Sequence, residues 1–183
     1  MAVASLSHPD GTVAGTPSTW LILLRSRPLA LSLALLSFGA GAIHFAVSPD
    51  HFAEYTTFGI FFAALAWFQI LWAAVYLTQP DRWLAVAAAL VNAGVVIVWV
   101  YSRTIGLPFG PDPGSTEVVG VADSISSAFE ILLVGGLVAG MVAKVPFAYS
   151  RRWVSAAVIA TVAVVVLTVL ALVALAPTST AMG

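Results

Sequence analysis

Two of the three histidines in this 183-residue chain lie close together, at positions 44 and 51. Glu54 follows His51 by three positions, so these two side chains share one face of a helix. Neutral imidazole and carboxylate oxygen are the ligands that zinc, non-haem iron and copper bind in proteins. The segment from His44 to Glu54 therefore predicts one half of a site for a divalent metal ion: zinc, iron or copper.

Two carboxylates later in the chain are candidates for the other half of this site. Glu130 lies inside a long apolar segment, where an ionised carboxylate costs on the order of 2.5–3.5 kcal/mol. Its carboxyl group must be neutral, paired or bound to a cation. Asp123 lies two helical turns earlier on the same face. The predicted metal site thus has five ligands, two imidazoles and three carboxylates: His44, His51, Glu54, Asp123 and Glu130.

A second polar cluster is predicted around Arg103, with Tyr101 just before it and Glu117 after it. The simplest role for Arg103 is a structural salt bridge to Glu117, Asp123 or Glu130, which would order the Pro/Gly-rich connection 102–119. The alternative is a clamp for an anionic ligand.

Two uncharged polar side chains, Gln69 and Asn92, interrupt other apolar segments. Polar side chains within membrane helices hydrogen-bond to neighbouring helices. We therefore expect Gln69 and Asn92 to join helices rather than to carry chemistry.

The composition indicates a membrane protein. Hydrophobic residues make up 61% of the chain and charged residues 8%, whereas soluble domains carry about 25% charged residues. The net charge of -1 argues against a nucleic-acid partner. There is no cysteine, which excludes disulfides, thiolate metal sites and cysteine nucleophiles.

Hydropathy and turn residues predict an all-α integral membrane protein with five transmembrane helices, a four-helix core bundle and a peripheral fifth helix. A span needs about 20 apolar residues. The sequence Ser48-Pro49-Asp50 is typical of a helix start, so the second helix is expected to begin near Pro49. A single helical domain, 20–176, would lie between a disordered cytoplasmic tail, 1–19, and a short outer tail, 177–183. The predicted spans within it are 29–47, 52–77, 83–101, 121–143 and 153–176.

The distribution of basic residues predicts the orientation in the cell membrane. Cytoplasmic connections are enriched in Lys and Arg. With the amino terminus in the cytoplasm and the carboxy terminus outside, Arg103 is the one basic residue on the outer side. The others are then all cytoplasmic: Arg25, Arg27, Arg82, Lys144, Arg151 and Arg152. In this topology both polar clusters fall in the outer half of the bundle.

Three functions remain open at this stage. The first is a membrane protein with a metal site, including a metal-dependent membrane enzyme. The second is a non-catalytic accessory or assembly subunit of a larger membrane complex. The third is a proton-coupled carrier that uses Glu130, which would have to dimerise to form a pathway. The expected partners are the lipid bilayer and either further copies of the chain or other membrane subunits.

Overall fold

The computed structural model describes residues 28–142 and 151–175, and the predictions for the two tails and for Arg25, Arg27 and Lys144 lie outside these ranges. The described residues are helical and contain no strand. They form five helices: α1 Pro28–Glu54, α2 Thr56–Thr78, α3 Arg82–Thr104, α4 Val121–Val142 and α5 Arg151–Leu175.

Helix α1 does not end where the sequence predicted. It continues through Pro49 to Glu54, so the prediction that the second helix begins near Pro49 is wrong. Proline in a helix removes one backbone donor, so the carbonyl oxygen of Phe45, four residues earlier, loses its usual helical partner. The Ser48 hydroxyl also donates to the carbonyl oxygen of His44 at 2.6 Å, which supplies a hydrogen bond in this turn. His51 and Glu54 consequently belong to the end of α1 rather than to the start of α2.

The chain reverses at a single residue between α1 and α2. Tyr55 has extended backbone angles (φ -156°, ψ 117°), and its N–H still donates to the carbonyl oxygen of His51. The ring of Phe52 packs directly on Gly59, so closely that any side chain at position 59 would overlap it, and this contact supports the tight turn. Helices α1 and α2 therefore pack as an antiparallel hairpin.

Helix α1 is the centre of the bundle and packs against α2, α4 and α5. Small residues allow the close approach: a Cβ atom at Gly136 of α4 would lie 2.6 Å from the Leu33 side chain, and one at Gly39 of α1 would lie 2.8 Å from the Phe129 ring. Such contacts are typical of helices packed in lipid, where glycine lets backbones come together.

Helix α3 packs mainly against α4. The Asp81 side chain caps its first turn by accepting from the N–H groups of Trp83 and Leu84 at 2.7 and 3.3 Å. Near this end, Trp72 of α2 donates from Nε1 to the carbonyl oxygen of Leu84 at 2.9 Å. Helices α2 and α3 are thus joined at the end where the chain passes from one to the other.

Helices α1 to α4 are each long and apolar enough to cross a membrane. The described side chains of α5 form a shorter apolar segment, Ile159–Val173. Most of its large side chains are exposed, whereas Val164 and Ala171 are buried against the rest of the bundle.

The connection between α3 and α4 is ordered by its own backbone. The Gly114 N–H donates to the carbonyl oxygen of Leu107 at 2.7 Å, and the Glu117 N–H donates to the carbonyl oxygen of Ser102 at 3.1 Å. Gly106, Gly110 and Gly114 have positive φ angles, which glycine adopts without strain. The connection folds back over the end of the bundle where α1 and α3 end and α2 and α4 begin, called here the cavity end.

Candidate functional site

A buried pair of titratable side chains, His44 and Glu130, lies at the centre of the bundle. Nε2 of His44 lies 2.9 Å from Oε1 of Glu130, across 86 positions of sequence. The two residues are only 4% and 1% exposed. A buried carboxylate requires a partner. The partner of Glu130, which lies on α4, is the imidazole of His44 on α1.

Two amide side chains extend this pair across α2 and α3. Nε2 of Gln69 donates to Oε1 of Glu130 at 3.0 Å and to Oδ1 of Asn92 at 2.9 Å. Asn92 in turn donates from Nδ2 to the carbonyl oxygen of Ala88 at 2.8 Å. The expectation that Gln69 and Asn92 join helices is confirmed. One polar network therefore connects helices α1 to α4. Within it, His44 and Gln69 both contact the same oxygen atom, Oε1 of Glu130.

The Arg103 cluster forms at the cavity end. Its guanidinium donates to Oε2 of Glu117 at 2.5 Å and to Oδ2 of Asp123 at 2.6 Å. These bonds confirm the predicted salt bridge and assign Glu117 and Asp123, rather than Glu130, as its partners. Tyr101 contributes through its backbone, whose carbonyl oxygen accepts from the N–H groups of Ile105 and Gly106.

His51 and Glu54 meet each other at the exposed end of α1. Nδ1 of His51 lies 3.4 Å from Oε2 of Glu54, and the Glu54 side chain is half exposed. The His51 ring stacks on Phe62, with centroids 4.1 Å apart, and the His44 ring contacts the same phenyl group at 5.4 Å. Both histidines thus face α2, but each has its own carboxylate.

The five predicted metal ligands are therefore divided among three places. Within residues 28–142 and 151–175, no group of three or more His, Asp or Glu side chains is arranged to hold a metal ion. The continuous helix explains this, because His51 lies two turns, or roughly 10 Å along the axis, beyond His44. One metal ion with ligand bonds of about 2 Å cannot bridge that distance. The metal site gains no support from these contacts.

A cavity of about 510 Å³ opens between α1, α2, α3 and α4 at the cavity end. His44, Glu130, Arg103 and Asp123 line it, so both the buried pair and the Arg103 cluster face the same space. The rest of the wall is mainly apolar and includes five aromatic side chains: Phe58, Phe61, Phe62, Trp99 and Phe109. Phe109 comes from the α3–α4 connection, which forms one wall.

Three groups that line the cavity have polar atoms without a hydrogen-bond partner among the described residues: Oε2 of Glu130, Nε1 of Trp99 and Nε of Arg103. The first is an acceptor and the others are donors. Leaving such an atom buried and unpaired costs about 1–3 kcal/mol. Each one is therefore a potential contact for a bound molecule.

The aromatic wall of the cavity is absent from the sequence-based prediction. A spacing signal exists: Phe58 and Phe62 are four positions apart, as are Trp99 and Arg103, so each pair shares a helix face. The same spacing also fits an ordinary packed or lipid-facing surface. It becomes informative only when the four helices are assembled.

No family model, no curated protein and no solved structure matches this chain.

Proposed function

We propose that this chain is an integral membrane protein with its amino terminus in the cytoplasm, and that it binds a small organic molecule in the cavity at the outer end of the bundle. The membrane assignment rests on the four long apolar helices and on large apolar side chains exposed around them. The orientation rests on the excess of basic residues in the connections assigned to the cytoplasm.

Cysteine labelling tests this topology, because the chain contains no cysteine of its own. Asp112 lies exposed in the α3–α4 connection, and Gln79 lies exposed in the α2–α3 turn. In intact cells, a membrane-impermeant maleimide should label Asp112→Cys and leave Gln79→Cys unlabelled. After the membrane is opened, both variants should react. Labelling of Gln79→Cys alone in intact cells would show the opposite orientation.

The buried Glu130 carboxylate carries the binding proposal. One of its oxygens is held by His44 and Gln69, while the other has no partner among the described residues, and Glu130 lines the cavity. A carboxylate held in this way is preorganised to receive a ligand. Its position is fixed by two helices, and one acceptor remains free.

The cavity has the form of a small-molecule site. Such sites typically enclose about 300–1,000 Å³, with apolar walls and a few convergent polar groups that orient the ligand. The 510 Å³ cavity fits this description, with aromatic side chains on the walls and Glu130, His44 and Arg103 as the polar groups. The bound molecule is therefore expected to have an apolar body and at least one polar group.

Filling the cavity should remove what it holds. Ser127 is buried on α4 and lines the cavity, so Ser127→Leu adds volume inside it. Gly135 lies on the exposed side of the same helix, and a Cβ atom there would have no neighbouring atom within 4 Å, which makes Gly135→Leu the matched control. After purification from native membranes, the wild type and Gly135→Leu should retain the same small molecules on mass spectrometry of solvent extracts. Ser127→Leu should lose at least one of them.

Identical extracts from all three proteins would overturn the binding function, provided that Ser127→Leu has the same helix content as the wild type. Nothing in the described contacts bears on the accessory-subunit and proton-carrier hypotheses, which stay predictions.

A further inference from the structure

We propose that the molecule bound in this cavity is an amphipathic amine, whose protonated nitrogen donates to Oε2 of Glu130 and whose apolar body lies among the aromatic side chains. This inference rests on the proposed binding function and specifies the chemical class of the ligand.

The first argument is the type of atom left unpaired. Oε2 belongs to a carboxylate whose other oxygen already accepts from Gln69 and contacts His44. A free carboxylate oxygen accepts hydrogen bonds, so its partner must be a donor. Bonds between an ammonium group and a carboxylate are roughly twice as strong as neutral ones, and a low-dielectric site strengthens them further.

The second argument is the charge around the cavity. Three carboxylates line it, from Glu117, Asp123 and Glu130, beside one guanidinium, from Arg103, and two imidazoles, from His44 and His51. Glu117 and Asp123 already neutralise Arg103, so its charge is not free to attract an anion. Glu130 has only the imidazole of His44 as a charged or chargeable partner among the described residues. At Glu130 the cavity therefore favours a cation over an anion.

The third argument is the aromatic wall. Aromatic faces attract cations through the ring quadrupole, and the attraction increases when the cation is desolvated. Phe58, Phe62 and Trp99 all line the space that Glu130 faces. An ammonium group near Glu130 would thus meet both a carboxylate and aromatic rings, a combination that a neutral alcohol cannot use.

An adjoining groove between α2 and α3 provides space for the apolar body. It has a volume of about 440 Å³ and shares Phe61, Val95 and Val98 with the cavity wall. All of its lining residues are apolar or glycine. A ligand with its nitrogen at Glu130 can therefore extend its apolar part along this groove toward the lipid.

Three probes of equal size separate the classes of ligand: 4-phenylbutylamine, 4-phenylbutan-1-ol and 4-phenylbutanoate. Binding is measured by isothermal titration calorimetry on the full chain in lipid nanodiscs, with empty nanodiscs subtracted. The amine should bind at least about tenfold more tightly than the alcohol, which is the range expected for a hydrogen bond to a charged group. The butanoate should bind most weakly.

Two variants assign this preference to Glu130. Glu130→Gln keeps the side-chain size and removes the charge, so it should weaken amine binding about tenfold and leave alcohol binding within about threefold. Glu54→Gln removes a carboxylate at the same end of the bundle but outside the cavity wall, and should leave the amine preference unchanged.

The outcomes separate the two proposals. Equal binding of amine and alcohol by the wild type, or tightest binding of the butanoate, would overturn the amine assignment. The binding function would still stand if Ser127→Leu lost retained molecules. Amine preference that persists in Glu130→Gln would also overturn the assignment. Identical extracts from the wild type and Ser127→Leu would instead count against the binding function itself.

Discussion

Glu130→Ala should lower the free energy of unfolding by about 2–4 kcal/mol. The substitution removes the partner of His44 and the acceptor of Gln69, both of which are buried. It also enlarges the cavity that Glu130 lines. Equilibrium unfolding of the purified protein in mixed micelles, followed by circular dichroism, measures the change.

Glu130→Gln is the matched control. Glutamine has nearly the same size and keeps a carbonyl oxygen that can accept from Gln69 and His44, so its cost should be about 1 kcal/mol. A double-mutant cycle with His44→Ala isolates the pair itself, because it cancels effects that the two residues have separately. If Glu130→Ala and Glu130→Gln cost the same, or if the cycle shows no coupling, the pair does not stabilise the bundle.

The sequence shows that Glu130 needs a partner but not which partner it has. An intramembrane carboxylate is expensive wherever it lies along a helix, and this is evident from hydropathy alone. Whether Glu130 pairs with His44 or with Arg103 depends on how closely α1 and α4 approach each other. That approach is set by Gly39 and Gly136, whose close contacts with Phe129 and Leu33 are properties of the assembled helices.

The metal hypothesis depended on one helix boundary. A helix start at Pro49 would have folded His51 back toward His44, whereas the continuous α1 places the two histidines two turns apart. Serine, proline and an acid in succession satisfy the rules for a helix start, but in this chain they lie inside the last two turns of α1. Local sequence cannot distinguish these cases, because the break at Tyr55 is supported by the tertiary contact between Phe52 and Gly59.

The cavity could not be predicted, since it is a property of how α2 and α3 are spaced. The two helices are held together by Trp72 near the turn that joins them and by Gln69 in the middle. Toward the cavity end their facing side chains line the open space instead. The α3–α4 connection then covers part of that space, and its fold depends on the backbone at Gly106 and Gly114.

Gly106→Ala should disrupt this connection and lower the free energy of unfolding by about 2–3 kcal/mol. Gly106 has a φ angle of +86°, and a Cβ atom there would lie 2.5 Å from the carbonyl carbon of Gly114 and 2.6 Å from the carbonyl oxygen of Ser115. Both neighbours are backbone atoms, so no side chain can rotate away to relieve the overlap. The Leu107–Gly114 hydrogen bond should open, and hydrogen exchange at the Gly114 amide should accelerate.

Gly114→Ala separates the steric overlap from the cost of the backbone angle. Gly114 has a similar φ angle of +80°, but a Cβ atom there would have no neighbour within 4 Å, so alanine should cost only about 1 kcal/mol. The same two variants test whether the connection forms a wall of the binding site. Gly106→Ala should weaken binding of 4-phenylbutylamine, because Phe109 leaves the cavity. Gly114→Ala should bind this amine nearly as tightly as the wild type does. Equal losses of stability in the two variants would mean that the close approach of Gly106 to Gly114 does not hold the connection in place.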